Sequence, residues 1–578
     1  MNSNFVFFDK KRPFAYTILF SFLFSLSIFI FFCDIRILNP SHTIWLMPGD
    51  SEAYWLNWLF YQQSPLFQIP LFGNYAYGEE LSLSIALNDS IPLMAFFFKI
   101  FQNYIPFESQ YFGIWIFLCF FFQSFFSIRL LSKFSNDNIL ILFFSIFFLL
   151  SPILLWRLWG HYSLMAHWLI LASFYIYFNS KFNLFHWISL FFVSFLTSAY
   201  ITFMVFIIFA TDIFRRQISH ELSFKELQLV LMKFFSFSII SLYLIGYFYE
   251  GTKLSASGYG IYKANLSTFF DSNGLWSLIF PDIFSHMGEH EGFAFLGSGV
   301  ILLIGIIILI SLFKKEKIIF FDNNSHKYIS IVAIVLFLFA LSNNVSVGHF
   351  DLISIKFPNF LEKLFGILRA SGRMVWILFY LIYLIIFINI SKSKYKKSYK
   401  IILLCLISFQ LFDMNKASEL FRKKTGDINK NYKEVYLEEK YRADGLNPDT
   451  IYNYWEQNLW NSPMKSPEWD RIGKEYKRIS YVYAKNKPKR YFPLALFAAK
   501  NKMTINFGRF SRIKKSKSKE INKKLEVELS SRAYRDDTLY YFDSKSEWLI
   551  ALKNKRGFDL IKEIDGFKIL APKYYINK

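Results

Sequence analysis

Residues 14–33 read FAYTILFSFLFSLSIFIFFC and contain no charged side chain. A membrane-spanning helix needs about 20 apolar residues, so this run alone is long enough to cross a bilayer. The basic group Lys10-Lys11-Arg12 precedes it, as it would in a secretory signal peptide. The length of the run and the lack of a small-residue cleavage site favour an uncleaved first span instead.

The composition of the whole chain indicates a membrane protein with many spans. Of its 578 residues, 54% are hydrophobic and 21% are aromatic, and the mean hydropathy is +0.28. These values exceed what a soluble core needs. Its three cysteines, Cys33, Cys119 and Cys405, each lie in or beside an apolar run, so no disulfide framework is predicted.

Further apolar runs extend to residue 412, and one region among them is ambiguous. Region 182–211 is too long for one comfortable helix and short for two. The positive-inside rule can decide between these options, because the nearby loops are short. The other uncharged runs are 109–128, 139–156, 163–180, 234–249, 293–313, 328–347, 374–390 and 401–412.

The basic residues of the loops favour a two-span hairpin over 182–211, with its turn near Thr197-Ser198-Ala199-Tyr200. Only that arrangement keeps the basic loops on the same side of the membrane as a cytoplasmic N-terminus. We therefore predict about eleven spans, an odd number that leaves the C-terminus extracytoplasmic. The basic residues concerned are Arg129, Lys133, Lys181, Arg215, Arg216, Lys225, Lys314, Lys315, Lys317, Lys327, Lys392, Lys394, Lys396, Lys397 and Lys400.

The predicted fold class is a mainly α, polytopic membrane helical bundle with a C-terminal extracytoplasmic α+β domain. The transmembrane module covers residues 1–414 and the C-terminal domain covers 415–578. Within the module, a first external loop occupies about 34–108 and a fourth external loop about 250–292. These loops and the tail hold most of the polar sequence on the external side.

Local patterns in the tail predict both helix and strand. Residues Trp455 to Tyr476 have the pattern of an amphipathic helix, and 479–483 and 539–542 alternate with a period of two. Residues 558–570 read as a hairpin that turns at Asp565-Gly566. The basic tail explains much of the formal net charge of +22. The basic residues of the tail either form a solvated surface or attract anionic polysaccharide or lipid head groups.

Charged residues at the external end of a span are functional candidates, because a charge at the membrane boundary costs free energy. Arg157 and His161 are four residues apart, so on a helix they would share a face. Arg369 and Arg373 repeat that spacing, and His167 begins the next span after His161. Guanidinium groups bind phosphate through paired donors. The cations therefore suit the phosphate of a lipid-linked donor.

Two alternatives remain for these cations. In the first, they bind the head groups of ordinary phospholipids. In the second, they form ion pairs with Asp413 and Glu362. Either alternative would leave them without a role in chemistry.

The acidic candidates lie in the first and fourth external loops. Asp50 and Glu52 belong to the polar turn Pro48-Gly49-Asp50-Ser51-Glu52, which opens the aromatic-rich part of the first loop. Asp89 precedes the apolar stretch 93–101, which is too short to span and fits a helix in the interface plane. The other acidic candidates in the two loops are Glu79, Glu80 and Asp282.

A dense patch of histidine and carboxylate occurs in the fourth external loop, at Ser285-His286-Met287-Gly288-Glu289-His290-Glu291-Gly292. Its spacing matches no standard zinc motif. It is a candidate contact for a divalent ion or for substrate hydroxyls. Upstream, Tyr259 and Tyr262 either stack on a sugar ring or belong to a plain tyrosine-rich loop.

Six blocks of the membrane part resemble an uncharacterised bacterial family placed in the GT-C superfamily of membrane glycosyltransferases. The resemblance covers roughly residues 1–415 and includes the overall plan of first span, long external loop with an early Asp, and C-terminal external domain. The turn at 197–200 departs from that family, in which a histidine is expected near Tyr200. The blocks are PGDSEAYWLNWLFYQQSP (48–65), LNDSIPLMAFFFKIF (87–101), WRLWGHYSLMAHWLIL (156–171), GEHEGFAFLG (288–297), LRASGRMVW (368–376) and QLFDMN (410–415).

The resemblance implies an inverting transfer of a sugar from a polyprenyl-phosphate donor at the extracytoplasmic face of a bacterial inner membrane. Asp50 is then the general base, and Asp89 is the second catalytic candidate. The donor phosphate is bound by the cationic candidates Arg157, His161, Arg369 and Arg373. Substrate contacts come from Glu52, His167, Tyr259, Tyr262, Glu289, His290 and Glu291.

The metal requirement stays open, since some GT-C enzymes use a divalent ion, here Mg²⁺ or Mn²⁺, and others use none. The expected partners are the lipid bilayer, the polyprenyl-phosphate-linked sugar and a cell-surface glycan or lipid acceptor, with no nucleic acid. A lipid-linked sugar transporter or flippase and a non-catalytic envelope assembly protein are the alternative functions. A transporter would be expected to carry polar residues near mid-membrane, whereas here they gather at one face.

Overall fold

Helices dominate the part of the chain that the computed structural model describes, and strands gather near its C-terminus. The chain is therefore mainly α with a C-terminal α+β region, as predicted. The described residues are 14–46, 50–81, 84–248, 258–283, 286–320, 324–426, 463–488, 491–510, 513 and 515–576.

The helices and strands have the following bounds. The α-helices are α1 (Phe14–Phe32), α2 (Asp50–Gln62), α3 (Pro92–Ile100), α4 (Phe112–Leu131), α5 (Asn138–Leu149), α6 (Pro152–Leu155), α7 (Trp168–Tyr177), α8 (Leu184–Phe195), α9 (Ala199–Ile218), α10 (Phe224–Ile245), α11 (Ser298–Lys314), α12 (Asn324–Leu341), α13 (Asn359–Phe365), α14 (Val375–Lys392), α15 (Lys396–Asp413), α16 (Asn415–Thr425), α17 (Glu468–Glu475), α18 (Tyr491–Lys500), α19 (Lys515–Ser531) and α20 (Lys545–Lys553). The strands are β1 (Asn344–Val347), β2 (Phe350–Ser354), β3 (Arg478–Val482), β4 (Thr504–Ile505), β5 (Thr538–Phe542), β6 (Leu560–Ile564) and β7 (Phe567–Ala571). Short 3₁₀ helices lie at Ile35–Leu38, Ile44–Leu46, Glu79–Leu81, Ile85–Leu87, Trp156–Trp159, Tyr162–Met165, Glu289–Gly292, Gly366–Leu368 and Ser371–Met374.

Several of these helices are long and apolar enough to cross a membrane, so the chain is a membrane protein. In the described residues there are five such helices, or six if α15 and α16, bent by 55°, form one span. Shorter apolar helices lie in other predicted spans. One of them, α8, rises about 1.5 Å per residue and is therefore shorter than the hydrocarbon layer, which is roughly 30 Å thick. The count of eleven spans stays a prediction. The five are Phe14–Phe32, Phe112–Leu131, Asn138–Trp159, Phe224–Ile245 and Ser371–Lys392.

The ambiguous region 182–211 forms two helices, as the hairpin prediction requires. Helix α8 ends at Phe195 and α9 begins at Ala199. The chain reverses at Ser198, whose backbone is extended with φ −156° and ψ 129°. A single helix through this region is therefore excluded. Whether both helices cross the membrane stays a prediction.

The chain divides into two compact units. The first consists of the described parts of Met1–Trp45, Phe112–Ser238 and Leu254–Tyr436. Its core is a helix bundle in which α4 packs against α1, α5 and α7, and in which α12 packs against α14. Aromatic rings fill much of that core, such as Phe148 stacked on Tyr380 at 5.9 Å.

One end of the first unit collects the segments that the sequence assigns to the external side. The backbone N–H of Asp34, just after α1, donates to Thr425 Oγ1 at 2.8 Å. Lys424 Nζ in turn donates to the carbonyl oxygen of Leu158 at 2.8 Å. The ends of α1, α6 and α16 therefore meet at this end of the bundle.

The other end of the first unit collects predicted cytoplasmic loops. Lys400 Nζ lies 2.7 Å from the Asp137 carboxylate, which joins the start of α15 to the start of α5. Arg216 Nη2 donates to the carbonyl oxygen of Asn179 at 2.6 Å, which joins the end of α9 to the end of α7. We call this the basic end of the bundle, because it carries the lysines and arginines counted in the topology prediction.

The second unit contains the tail together with most of the first loop. It consists of the described parts of Leu46–Tyr111, Ile239–Lys253 and Leu437–Lys578. Its five-stranded sheet has the order β4-β3-β5-β7-β6. Strand β3 is parallel to β4 and β5, and β7 is antiparallel to β5 and β6.

The local predictions for the tail are confirmed where the structure describes it. Strands β3 and β5 coincide with the two period-two stretches, and β6 and β7 form the hairpin. Asp565 and Gly566 have φ of 50° and 80°, as a two-residue hairpin turn with positive φ at both positions requires. Of the predicted helix, α17 is present, and residues 455–462 lie outside the described part.

The first loop is joined to the tail sheet by backbone hydrogen bonds. Ile505 N donates to Ala76 O at 2.9 Å, and Gly78 N donates to Ile505 O at 2.8 Å. The loop thus extends the sheet beyond β4. The loop and the tail are far apart in the sequence. Side chains also join them, since Arg478 Nε lies 2.6 Å from Glu79 Oε1.

The end of α10 also belongs to the second unit. Leu71 N donates to Leu244 O at 2.8 Å, and Ser84 Oγ donates to Ile245 O at 3.1 Å. A hydrogen-bonded unit of this kind cannot be divided by a bilayer, in which irregular backbone has no partners. We therefore expect the first loop, the end of α10 and the tail to lie on one side of the membrane.

This arrangement predicts a common labelling side for three single cysteines introduced at Tyr75, Phe248 and Lys524, all exposed. Each is placed in a background with the three native cysteines replaced by alanine. A membrane-impermeant maleimide applied to intact cells should label either all three or none, because an even number of crossings separates them. Labelling of one position from the opposite side to the others would contradict the fold of the second unit.

Candidate functional site

Three short 3₁₀ turns meet at the external end of the first unit and carry the main candidates. They are Trp156–Trp159, Glu289–Gly292 and Ser371–Met374. The last two approach so closely that a Cβ on Gly372 would lie 2.6 Å from Gly292 Cα. Real Cβ contacts are not that short, so glycine is required there and holds the two turns together.

Glu291 lies between two arginines of this meeting point. Its Oε2 accepts from Arg157 Nη1 at 2.9 Å and from Arg373 Nε at 3.0 Å. Its Oε1 accepts from Arg373 Nη2 at 2.7 Å. The three residues are 7%, 1% and 8% exposed, in the order Glu291, Arg157, Arg373. We call these three residues the arginine–glutamate cluster.

The arginines keep Glu291 ionised although it is buried. Burial would raise the pKa of the Glu291 carboxyl, but the charges of Arg373 and Arg157 outweigh it and hold that pKa well below its ordinary value. Two guanidinium groups share one carboxylate in the arginine–glutamate cluster.

Several buried donors beside the cluster have no hydrogen-bond partner within the described residues. They are Nε and Nη2 of Arg157 and Nε1 of Trp376. The Arg157 guanidinium lies over the Trp376 ring at 5.0 Å, and the His167 ring lies 4.2 Å from the same ring. Buried N–H groups are ordinarily satisfied, so these donors mark a place where a polar ligand is accommodated.

Two tyrosines fix the side chains around the cluster. Tyr200 lies under the Arg373 guanidinium at 4.4 Å, and its hydroxyl accepts from Ala370 N at 3.1 Å. Tyr380 OH lies 2.9 Å from His167 Nδ1. The turn at 197–200, to which the sequence assigns no role, therefore supports Arg373 through its tyrosine.

Glu289 lies in the same turn as Glu291 but belongs to a separate neutral pair. Its Oε1 lies 2.5 Å from Lys263 Nζ and accepts from Ser346 Oγ at 2.7 Å. Its Oε2 accepts from Asn265 Nδ2 at 2.9 Å. Burial alone would raise the pKa of Glu289, but these hydrogen bonds have the larger effect, so the pKa lies below its ordinary value.

The remaining candidates of the first unit lie around the cluster rather than in it. Arg369 lies over the Tyr262 ring at 5.6 Å. Tyr259 packs among aromatic rings, at 5.2 Å from Phe365. His161 contributes to the field that lowers the Glu291 pKa. The exposed side chain of His290 points away from the buried carboxylates on either side of it.

Two expectations about the cations differ from the structure. The four-residue spacings do not lie on continuous helices, because Gly160 has φ 144° and Ala370 interrupts the turns around Arg369 and Arg373. The arginines also do not pair with Asp413, whose Oδ1 accepts instead from Leu278 N at 2.8 Å. The partner is Glu291, which the sequence treats as a substrate contact.

Asp50 and Glu52 begin α2 in the second unit. Asp50 accepts from Arg509 Nη2 and is part-exposed, while Glu52 is buried. Glu52 Oε1 accepts from Tyr491 OH at 2.6 Å and lies 3.7 Å from Arg509 Nη1. The first carboxylate is therefore accessible and the second serves to join the loop to the tail.

Asp89 lies in the second unit, in the turn before α3. Its backbone is left-handed with φ 55°, and it is half-buried. Helix α3 covers the predicted interfacial stretch. Within the residues that the structure describes, no three His, Cys, Asp or Glu side chains are grouped to hold a metal ion.

Sequence reasoning missed five residues at these sites: Tyr200, Lys263, Trp376, Tyr491 and Arg509. Lys263 carries a usable signal, since a lysine in a loop predicted to be external departs from the positive-inside bias. Trp376 carries a weak one, because tryptophan is common at membrane interfaces. Arg509 and Tyr491 carry none, because the tail is rich in both residue types.

Two sequence families match parts of this chain. A family described as "Domain of unknown function (DUF6311)" matches residues 22–415. A second, described as "DUF6311 C-terminal domain", matches residues 468–572. No curated protein matches the chain.

Replacing Glu291 by Gln should destabilise the protein strongly, by about 3–5 kcal/mol, because two buried guanidiniums lose the carboxylate that they share. Thermal unfolding in detergent at pH 7 measures the loss. Asp543→Asn is the matched control: its pair with Lys485 is part-exposed at 3.5 Å and is worth about 1 kcal/mol or less.

The effect of Glu291→Gln should also depend on pH. The folded pKa of Glu291 is depressed, so its contribution is complete above the unfolded value of about 4.3 and is lost as pH falls through the folded pKa. The difference in the free energy of unfolding between variant and wild type should stay roughly constant from pH 6 to pH 8 and should shrink below about pH 4. Equal stability of the two proteins at neutral pH would show that the buried pair contributes nothing.

Proposed function

This chain belongs to the DUF6311 family, and we propose that it is a polytopic membrane glycosyltransferase of the GT-C kind. It moves a sugar from a polyprenyl-phosphate donor to a cell-surface glycan or lipid acceptor. The transfer takes place on the extracytoplasmic face of a bacterial inner membrane and inverts the anomeric configuration.

The observation that carries this proposal is the pair of buried guanidiniums, Arg157 and Arg373, that share the Glu291 carboxylate. Arg157 has two donor nitrogens without a protein partner in the described residues, and Trp376 adds one. A phosphate offers oxygen acceptors and negative charge, which guanidinium donors bind most strongly. A donor carried by the membrane is the phosphate compound suited to a site at one end of a helix bundle.

The topology proposed with this function has about eleven spans. The basic end of the first unit faces the cytoplasm under the positive-inside rule, and the arginine–glutamate cluster faces outside. The common side of the first loop, the end of α10 and the tail supports an even number of crossings between them. Between the first loop and the end of α10 lie six apolar segments, from α4 to α10. They give an even number of crossings if α8 and α9 both cross the membrane.

The proposed chemistry is a single displacement. The acceptor hydroxyl oxygen forms a bond to the anomeric carbon while the bond from that carbon to the phosphate oxygen breaks. The hydroxyl proton passes to the Asp50 carboxylate as general base. The electron pair leaves with the phosphate, whose growing charge the guanidinium groups of Arg157 and Arg373 stabilise.

Asp50 suits this role by its position and exposure. It begins α2, where the helix N-terminus favours a negative group, and its carboxylate is part-exposed. The Arg509 guanidinium beside it favours the charged form that a base needs. Glu52 is buried against Tyr491, so it is a positioning residue and not a competing base.

The distribution of charge argues against a transporter. In the described part of the candidate spans, the buried charged residues occur near helix ends, such as Arg129 and Arg157. A transporter of polar cargo needs such groups along its path through the membrane.

Replacing Asp50 by Asn should abolish transfer, by about 100-fold or more, without loss of the folded protein, because Asn keeps an oxygen that accepts from Arg509. The measurement compares surface glycans by mass spectrometry in a strain that lacks the protein and carries wild type, Asp50→Asn or the control Glu108→Gln. Glu108 makes an exposed pair with Lys500 in the same loop and tail. Its variant should behave as wild type.

Two results would count against the proposal in different ways. Full activity of Asp50→Asn would remove Asp50 as the base and leave the enzyme class open. An unchanged glycan profile in the strain that lacks the protein, with altered movement of a lipid-linked sugar, would favour a transporter.

A further inference from the structure

A cavity of about 320 Å³ opens at the basic end of the first unit. It lies where α11 and α14 end and where α15 begins. Five lysines line it, together with Glu316: Lys314, Lys315, Lys317, Lys392 and Lys394. We call it the lysine cavity.

The walls of the lysine cavity are held by hydrogen bonds and are not a loose loop. Ile319 N donates to Asn389 Oδ1 at 2.8 Å, and Asn389 Nδ2 donates back to Ile319 O at 2.9 Å. Ser311 Oγ donates to Glu316 O at 2.7 Å. The segment after α11 is thus fixed against the end of α14.

The cavity is strongly positive. Its glutamate, Glu316, accepts from Ser393 Oγ at 2.8 Å and from Lys394 N at 3.0 Å, so its charge is directed at the wall. Lys314, Lys315 and Lys317 make no ion pair within the part of the chain that the structure describes. Charge of this density in one concave place attracts an anion.

Exposed apolar side chains lie next in the sequence to residues that line the lysine cavity. Leu312 and Phe313, in the last turn of α11, are 70% and 78% exposed, and Phe320 is also exposed. Large apolar residues exposed on a span face lipid chains. The cavity therefore lies at the level where head groups meet acyl chains.

We propose that the lysine cavity binds the head group of an anionic phospholipid, with the phosphodiester among Lys314, Lys315 and Lys317 and the acyl chains along Leu312 and Phe313. Cationic side chains with an adjacent apolar border match the two parts of such a lipid, which a free anion does not. Juxtamembrane basic clusters bind anionic lipids in this manner. The site is independent of the proposed transferase function and lies at the other end of the bundle from the arginine–glutamate cluster.

The test measures lipid binding to the full-length protein by native mass spectrometry, in detergent micelles doped with phosphatidylglycerol or phosphatidylcholine. Wild type should prefer phosphatidylglycerol. The variant Lys314→Gln/Lys315→Gln/Lys317→Gln should bind it about tenfold or more weakly, with phosphatidylcholine binding unchanged. All three lysines are exposed, so thermal unfolding of the variant should match wild type.

The control removes the same three charges from the same end outside the cavity, as Lys327→Gln/Lys396→Gln/Lys397→Gln. Its phosphatidylglycerol binding should fall by less than about twofold. Equal losses in both variants would overturn the proposal in favour of a general surface field. Stabilisation of lipid-free wild type by inorganic phosphate alone, lost in the cavity variant, would overturn it in favour of a free phosphate site.

Discussion

The membrane unit depends on one buried interaction, the ion pairs of Glu291 with Arg157 and Arg373. Charges of this kind are costly to desolvate, and they are tolerated only when geometry and hydrogen bonds are nearly complete. Glu291 uses both of its oxygens for the two arginines. The close approach of Gly292 to Gly372 brings the turns into range. The same cluster places two guanidinium groups side by side, and guanidinium groups are the donors that bind phosphate most strongly.

The two ends of the first unit have different chemistry, and this difference connects the fold to the proposed function. The external end has few cations, which are buried and held by a carboxylate, aromatic rings and backbone carbonyls. The basic end has many exposed lysines with few partners. A buried, oriented guanidinium recognises one phosphate in a fixed geometry, whereas flexible lysines attract head groups of many kinds. We therefore assign a substrate to the first end and a structural lipid to the second.

The sequence predicts what local patterns encode. Alternation in Ile479–Val482 and the Asp565-Gly566 turn predict the strands and hairpin of the tail, and loop charges predict the break between α8 and α9. Charge at a membrane boundary selects Arg157, Arg373 and Glu291 individually. Their pairing was not predictable, because Glu291 lies 134 residues from Arg157 and 82 from Arg373. The contact of Asp50 with Arg509, 459 residues away, and the main-chain bridge between Ala76 and Ile505 leave no pattern in the sequence either.

The most direct measurement compares the binding of polyprenyl phosphate and of the neutral polyprenol by purified wild type and Arg157→Gln in nanodiscs. Arg157→Gln leaves Glu291 with one arginine and removes one of the two guanidinium charges of the arginine–glutamate cluster. Wild type should prefer the phosphate about tenfold or more, as charge-assisted hydrogen bonds require, and the variant should lose that preference while it still binds the polyprenol. A wild-type protein that binds both compounds equally, or a variant that keeps the full preference, would contradict the assignment of the cluster to the donor phosphate.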